Sequence, residues 1–362
     1  METAALLKEL AESPGPSGYE EGIRSVVRAR CAPFAQEVRV DALGSCIAYL
    51  PANDPAAPAA ARPSLMLTAH MDEIALMVTQ VEKGFLRVTQ VGGFDPRVLF
   101  GQPVIVHGTR PVPGLVVSVP PHFTDPSERE KPVPLEKLFV DLGLAPSEVE
   151  SLVRVGDLVT LRPRYTELAG GYAACKSLDD RAGIASLLLC LQELSRRTRE
   201  WDVYVVAMVQ EEVGARGAVA AAFGVAPAAA VAVDATFGSQ PGLSSFESMK
   251  MDGGPAIAQG PNFHPRLFDR LLESAKAIEC PHQVEIMPAE SGTDAWAIQV
   301  SRGGVPCSLV SIPVRFMHTP VETVCLRDVE RTARLLAELA ARLPREFADS
   351  LEVRDALATG RP

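Results

Sequence analysis

The stretch LMLTAHMDEIAL at residues 65–76 decides how this sequence is interpreted. An apolar run ends at His70, and Asp72 and Glu73 follow before the chain turns apolar again at Ile74. A near-continuous apolar run of this length predicts a strand that is buried on both faces of a sheet. Polar residues directly after such a strand lie where open α/β sheets bind their ligands. The stretch therefore predicts an α/β sheet with a functional site at its edge.

Composition excludes several classes of function. The chain has 362 residues, more than one hydrophobic core usually organises, and carries a net charge of −10, which argues against nucleic acid or anionic lipid as a partner. The first residues contain no apolar segment behind a basic one, and no run of about 18 apolar residues occurs. Its seven cysteines are scattered and form no CxxC pair, which favours a reducing compartment. We therefore expect a soluble cytoplasmic protein with more than one domain.

Strands and helices alternate on either side of a segment that is rich in short strands and turns. This order predicts an α/β domain formed by residues 1–69 and 165–350, with a small β domain inserted at 70–164. Residues 51–63 are rich in proline and alanine and predict an exposed loop. We expect the chain after Pro344, and above all the tail at 351–362, to be loosely held.

Polar residues gather at the predicted carboxyl ends of the buried strands. The chain places His70, the pair Glu211 and Glu212, Asp234 and His318 at or just after such ends, and Asp179 and Asp180 at the start of a helix. Residues far apart in sequence meet along this edge of an α/β sheet. We therefore expect these side chains to form one site.

Two imidazoles and several carboxylates are a ligand set for divalent metal ions. Asp179, Glu212 and Asp234 supply about three negative charges against the four positive charges of two ions, and one carboxylate can bridge ions about 3.5–4 Å apart. His70 and His318 would each supply a nitrogen. Mixed nitrogen and oxygen ligands favour zinc, with cobalt or manganese as alternatives, and argue against calcium.

Two further acids have expected roles beside the metal ligands. Asp72 lies two residues after His70, and in an extended chain both side chains point the same way, so Asp72 can hold the imidazole. Neighbours in an extended chain point to opposite sides. One of Glu211 and Glu212 can then bind metal while the other acts as general base and later as general acid.

Each motif also has a simpler interpretation. Asp179 and Asp180 can be favourable acids at a helix start, Glu211 and Glu212 can lie in a solvated loop, and Thr293 in SGTDAW (291–296) can cap a helix instead of lining a substrate pocket. The joint occurrence of five such elements at one sheet edge favours a metallohydrolase.

In combination, these motifs resemble the M42 family of co-catalytic metallo-aminopeptidases. The similar segments, from about residue 6 to 345, are SGYEE, AHMDEIAL, GGFDPRVLFGQPVIVHG, KSLDDRAG, VQEEVGARGA, VDAT, SGTDAWAIQ and SIPVRFMHTPVE. The resemblance implies a mixed-sheet zinc-peptidase fold of the phosphorylase/hydrolase-like type with an inserted β-barrel or PDZ-like dimerisation domain. It also implies assembly from dimers into a tetrahedral dodecamer with enclosed active sites.

The resemblance also assigns roles to single residues. It implies that His70 and Asp234 bind one metal ion, that Glu212 and His318 bind the other, and that Asp179 bridges them. Asp72 would orient His70, and Glu211 would be the general acid/base. The expected reaction is removal of the N-terminal residue from short peptides.

Three alternative functions stay open at this point. The first is another amide hydrolase of the same design, such as an N-acyl amino acid deacylase. The second is a glycosidase, because paired carboxylates also hydrolyse sugars, although only 6% of residues are aromatic and two are tryptophan. The third is a non-catalytic binding protein.

Overall fold

A computed structural model describes residues 1–53, 62–128 and 130–351. Most of the loop expected at 51–63 and nearly all of the tail expected at 351–362 lie outside this range. The helices are α1 (Thr3–Glu12), α2 (Glu21–Cys31), α3 (Pro146–Leu152), α4 (Leu178–Leu194), α5 (Arg216–Val225), α6 (Pro265–Ala277), α7 (Asp294–Gln299) and α8 (Leu326–Arg342). None of these described helices is long and apolar enough to cross a membrane.

The strands form one large mixed sheet and one closed barrel. They are β1 (Glu37–Val40), β2 (Cys46–Leu50), β3 (Ser64–His70), β4 (Ala75–Glu82), β5 (Phe85–Val91), β6 (Pro103–His107), β7 (Pro111–Ser118), β8 (Leu138–Asp141), β9 (Leu158–Leu161), β10 (Thr166–Leu168), β11 (Tyr172–Cys175), β12 (Asp202–Met208), β13 (Ala229–Phe237), β14 (Ala256–Gln259), β15 (Gln283–Ile286), β16 (Cys307–Arg315) and β17 (Glu322–Cys325).

The large sheet has the order β1-β2-β12-β3-β13-β16-β17-β11-β10, and β14 and β15 branch from β16. Its centre is parallel, because β3 pairs in parallel with β12 and with β13, and β13 pairs in parallel with β16. The carboxyl ends of these four strands therefore lie at one edge. This is the edge where the sequence predicts the site.

Helices cover both faces of the sheet. Helix α4 packs against β3 and β13 on one face, together with α1 and α8, while α5 and α7 cover the other. Sequence patterning predicts a helix here, but α4 is buried almost all round because α8 and α1 cover the side away from the sheet. The mixed α/β fold predicted from the sequence is confirmed.

The strands between Ala75 and Leu161 close into a barrel in the order β4-β5-β8-β7-β6-β9. Leu76, Leu86, Val106 and Val140 belong to a separate apolar core inside it. The predicted insertion of a small β-barrel is thus confirmed, while the exact domain limits at 69/70 and 164/165 stay a prediction.

The chain just after Pro344 differs from the expectation. Residues Arg345–Leu351 form a short 3₁₀ helix, and Phe347 and Leu351 are buried in the main core. The indole of Trp201 donates a hydrogen bond to the Pro344 carbonyl at 3.0 Å. The expectation of a loose chain is therefore wrong for 345–351, because buried aromatic and aliphatic side chains hold this segment.

Candidate metal centre

The predicted ligands converge in two groups that share one residue. His70, Asp179 and Asp234 can place ligand atoms within 4.8 Å of one another, and so can Asp179, Glu212 and His318. Nε2 of His70 lies 3.1 Å from Oδ1 of Asp179, and Nε2 of His318 lies 3.5 Å from Oδ2 of the same carboxylate. The two oxygens of Asp179 therefore face different imidazoles.

His70 is delivered by the central strand of the sheet. It is the last residue of β3, and its side chain is almost fully buried. Asp234 lies on the neighbouring strand β13, with Oδ1 3.9 Å from Nε2 of His70. The sequence placed Asp234 at a strand end, but β13 continues to Phe237, so its side chain points into the site from within the strand.

Asp179 and Asp180 stand where the chain enters α4. Both residues have non-helical backbone angles, and the peptide bond between them is cis. Asp180 accepts a hydrogen bond from the Gly183 amide at 2.9 Å. Asp180 thus caps the first regular turn, and Asp179 is left to face the two histidines.

Glu211 and Glu212 lie in a turn after β12, not in the extended chain that the sequence argument assumed. Gln210 before them has a φ of 58°, and the chain bends there. As a result both carboxylates line the same cavity instead of pointing to opposite sides. Nε2 of His318 lies 3.3 Å from Oε1 of Glu212, while Glu211 makes no contact with either histidine that would make it a ligand.

Asp72 connects the strand end to this turn. Its Oδ1 lies 3.5 Å from Nδ1 of His70 and accepts a hydrogen bond from the Glu211 amide at 3.0 Å. Its Oδ2 accepts hydrogen bonds from the Glu212 amide at 3.2 Å and from the Ser17 hydroxyl at 2.6 Å. The predicted support of His70 by Asp72 agrees with this geometry, and Asp72 also fixes the turn that carries both glutamates.

Glu322 is a supporting residue that the sequence argument missed. It is buried, and its two oxygens accept hydrogen bonds from the Asp179 amide at 3.0 Å and from the His318 amide at 2.8 Å. The signal in the sequence was an acid four residues after His318 in HTPVE. One carboxylate thus holds the backbone of two predicted ligands.

The cavity around these residues has a volume of about 440 Å³. It is lined by His70, Gly93, Asp179, Glu211, Glu212, Asp234, Ala235, Thr236, Phe237, Glu285, Met287, Ser291, Gly292, Thr293, Met317 and His318. A side chain at Gly93 would come within 3.3 Å of Nδ1 of His318, so the segment after β5 approaches the site closely. Thr293 both lines the cavity and caps α7 by accepting a hydrogen bond from the Ala295 amide.

The cavity holds more acidic than basic side chains, and burial together with these charges shifts their pKa values. Burial raises the pKa of Glu211 to about 10, and burial with neighbouring acids raises the pKa of Asp234 well above its usual range. Burial opposes the charged form of His318, but its contacts with Asp179 and Glu212 raise its pKa to about 11. Among the described residues that line the cavity, the two histidines are the basic groups, and there is no lysine or arginine.

Divalent cations fit this donor set. Five carboxylates and two imidazoles line one cavity, and Asp179 turns one oxygen toward each imidazole. Cations would stabilise the charged forms of the acids that burial disfavours. The identity of each ligand stays a prediction, but the residues present are those that zinc, cobalt or manganese accept.

Comparison with known proteins agrees with the sequence motifs. The family model described as M42 glutamyl aminopeptidase matches residues 54–335. Lysyl aminopeptidase from Pyrococcus furiosus is 36% identical over 351 residues, which cover 94% of this chain and 98% of that protein.

Two solved structures that are similar to this chain are also those of peptidases. A TET aminopeptidase from a marine sediment Thaumarchaeota archaeon has a TM-score of 0.90 and 31% identity, and the match covers 96% of this chain and 99% of that one. The TET1 peptidase of Pyrococcus horikoshii has a TM-score of 0.83 and 29% identity, with 94% and 100% covered. The resemblance inferred from the motifs is confirmed: the chain belongs to the M42 peptidase family and is a hydrolase of the metallo-aminopeptidase class.

Proposed function

We propose that this protein removes the N-terminal residue from short peptides with a co-catalytic pair of divalent metal ions and Glu211 as general acid/base. The observation that carries this proposal is the Asp179 carboxylate, which presents one oxygen to each of two imidazoles in a cavity that Glu211 also lines. In the proposal His70 and Asp234 bind one ion, Glu212 and His318 bind the other, and Asp179 bridges them.

The ions would polarise the scissile carbonyl and lower the pKa of a water molecule beside it. Residues of the chain would transfer the proton and hold the reacting groups in position. Glu211 accepts the proton of the attacking water on a carboxylate oxygen and delivers it to the leaving amine when the C–N bond breaks. Asp72 keeps both glutamates in register with His70 through the backbone amides of the turn.

The proposal also covers how the chain assembles and where in the cell it acts. The TET1 peptidase of Pyrococcus horikoshii assembles into a tetrahedron or a large octahedral shell. We expect this chain to form a homo-oligomer, specifically a tetrahedral dodecamer built from dimers, in which enclosure admits short peptides. All seven cysteines are free and buried, which supports a cytoplasmic location.

The test compares a dipeptide that has a free N-terminus with its N-acetylated form. The enzyme is first stripped with a chelator and then reloaded with zinc, cobalt or manganese. The proposal predicts that only the reloaded enzyme cleaves and that the acetylated dipeptide resists. Preferred cleavage of the acetylated form would identify a deacylase instead, and unchanged activity after complete metal removal would contradict the metal mechanism.

A further inference from the structure

Glu73, in the stretch that follows β3, is a buried acid that lies outside the cavity. It comes directly after Asp72, yet its side chain is only 1% exposed and does not line the site. Its amide donates a hydrogen bond to the Gly15 carbonyl at 3.0 Å, and the Gly15 amide donates to Oε1 of Glu73 at 2.9 Å. One side of the carboxylate is therefore fixed against the N-terminal segment of the chain.

The other oxygen of Glu73 contacts the segment that leads into α4. Nζ of Lys176, whose side chain is also buried, donates a hydrogen bond to Oε2 of Glu73. The Ser177 hydroxyl donates to the same oxygen at 2.5 Å. Ser177 has a φ of 61°, in the left-handed region where a residue with a side chain is strained. Glu73 therefore holds a strained part of the chain just before the proposed bridging ligand Asp179.

The charges of this buried pair fix a distance more than they stabilise the fold. Burial opposes the charged form of Glu73, but Lys176 and Arg181 hold its pKa below the usual value. A buried ion pair gains little stability over an apolar pair of similar volume, because both charges lose their water. It does tie together the two segments that carry it. His70 lies three residues before Glu73, and Asp179 lies three residues after Lys176.

We propose that Glu73 and Lys176 are positioning residues that set the distance between His70 and Asp179, the two proposed ligands whose side chains lie 3.1 Å apart. This inference rests on the proposed two-ion function and deepens it, since neither residue contacts the ions or the substrate. Strand β3 is paired on both sides and keeps His70 in place. Loss of the pair therefore displaces Asp179, and with it the ligand that both ions would share.

The experiment is a double-mutant cycle with Glu73→Gln, Lys176→Met and the variant that carries both substitutions. Each single substitution leaves a buried charge without its partner and should lower the melting temperature of the metal-free protein. The double variant removes both charges and should recover most of that loss. We nevertheless expect it to bind zinc about 10- to 100-fold more weakly in titrations of the stripped protein, and to lose kcat on a dipeptide by a similar factor. The KM should stay near the wild-type value, because the pair lies outside the cavity.

A matched control combines Glu338→Gln with Arg197→Met, which removes an ion pair away from the centre. It should leave zinc affinity and kcat unchanged. If zinc affinity and kcat return to the wild-type values together with the melting temperature in the Glu73→Gln, Lys176→Met double variant, the inference is overturned, because the pair would then only stabilise the fold. A wild-type protein that neither binds zinc nor cleaves the dipeptide would instead refute the proposed function, and this inference with it.

Discussion

The His70 side and the His318 side of the proposed metal centre offer similar donor atoms on very different supports. His70 ends a central strand that is paired on both sides, and its side chain is 2% exposed. His318 stands in the connection between β16 and β17, with a φ of 60° and a side chain that is 35% exposed. A strand fixes the first of these proposed ligands, whereas a strained loop presents the second.

Side-chain hydrogen bonds hold that loop in place of strand pairing. The amide of His318 is held by Glu322, and the amide of Phe316 donates to Oε1 of Gln240 at 2.7 Å. Phe316 also has a positive φ, and non-glycine residues in this region cost on the order of 1–3 kcal/mol each. The His318 side therefore depends on local hydrogen bonds for the support that the His70 side obtains from the sheet.

The largest expected effect comes from the residue that both sides share. Asp179→Asn keeps the shape of the side chain but removes the charge that faces both histidines. We expect loss of both ions and a fall in activity beyond the 10- to 100-fold that supporting residues typically cost. Elemental analysis and kcat/KM measure this, and retention of both ions would show that Asp179 does not bridge.

The second effect separates the two sides. Glu322→Gln replaces one charged acceptor with an amide and weakens the hold on His318. We expect about a 10- to 100-fold loss in affinity for the ion on the His318 side, and a smaller loss on the His70 side through Asp179, whose amide Glu322 also holds. Calorimetric titration of the stripped protein with zinc would resolve the two steps.

The control for this prediction is Glu338→Gln, a buried acid on α8 that pairs with Arg197 away from the centre. Its metal affinities should match those of the wild type. Equal weakening of both ions in Glu322→Gln would contradict the division into a strand-held and a loop-held side.

A smaller effect concerns motion. Removal of the ions by a chelator should increase amide hydrogen exchange in 316–322 and leave exchange in β3 nearly unchanged, because sheet pairing persists without metal. Hydrogen exchange read by mass spectrometry compares the two peptides directly. Equal increases in both segments would remove the basis of the comparison.

The smallest effect comes from a hydrogen bond inside the loop. The Thr319 hydroxyl donates to the Phe316 carbonyl at 2.6 Å. Thr319→Ala should weaken the loop by about 1 kcal/mol, and hence the His318-side ion by about fivefold. The same titration measures it, with Thr323→Ala as a control, whose hydroxyl bonds the Val321 carbonyl beyond the loop's strained residues.

The strand-held His70 side of the site was easier to predict from the sequence than the loop-held His318 side. His70 could be placed because an apolar strand ends there, and strand ends in α/β sheets form ligand sites. Asp234 was assigned to the site but not to the interior of a strand, since the sequence does not show that β13 continues to Phe237. The motif segments supplied the family, and with it the pairing of ligands.

The hydrogen bonds that hold the turn at Glu211 and the segment at His318 could not be predicted from hydrophobic periodicity. The turn at Glu211 depends on a positive φ at Gln210 and on hydrogen bonds to Asp72, which lies more than a hundred residues earlier in the chain. Glu322 acts through the backbone amides of Asp179 and His318, contacts that only the folded chain creates. The position of Glu285 in the cavity wall was likewise missed, because the short strand β15 that carries it was not predicted.

We propose a two-ion centre at which Glu211 moves the proton, and a paired measurement of metal content and kcat can decide this. Metal content and kcat are determined for the wild-type enzyme and for Glu211→Gln, which keeps the side-chain length but removes the base. We expect two ions per chain in both proteins and a loss of about 10²- to 10⁴-fold in kcat in the variant. An active variant, or a wild-type enzyme that is active with no more than one ion per chain, would contradict it.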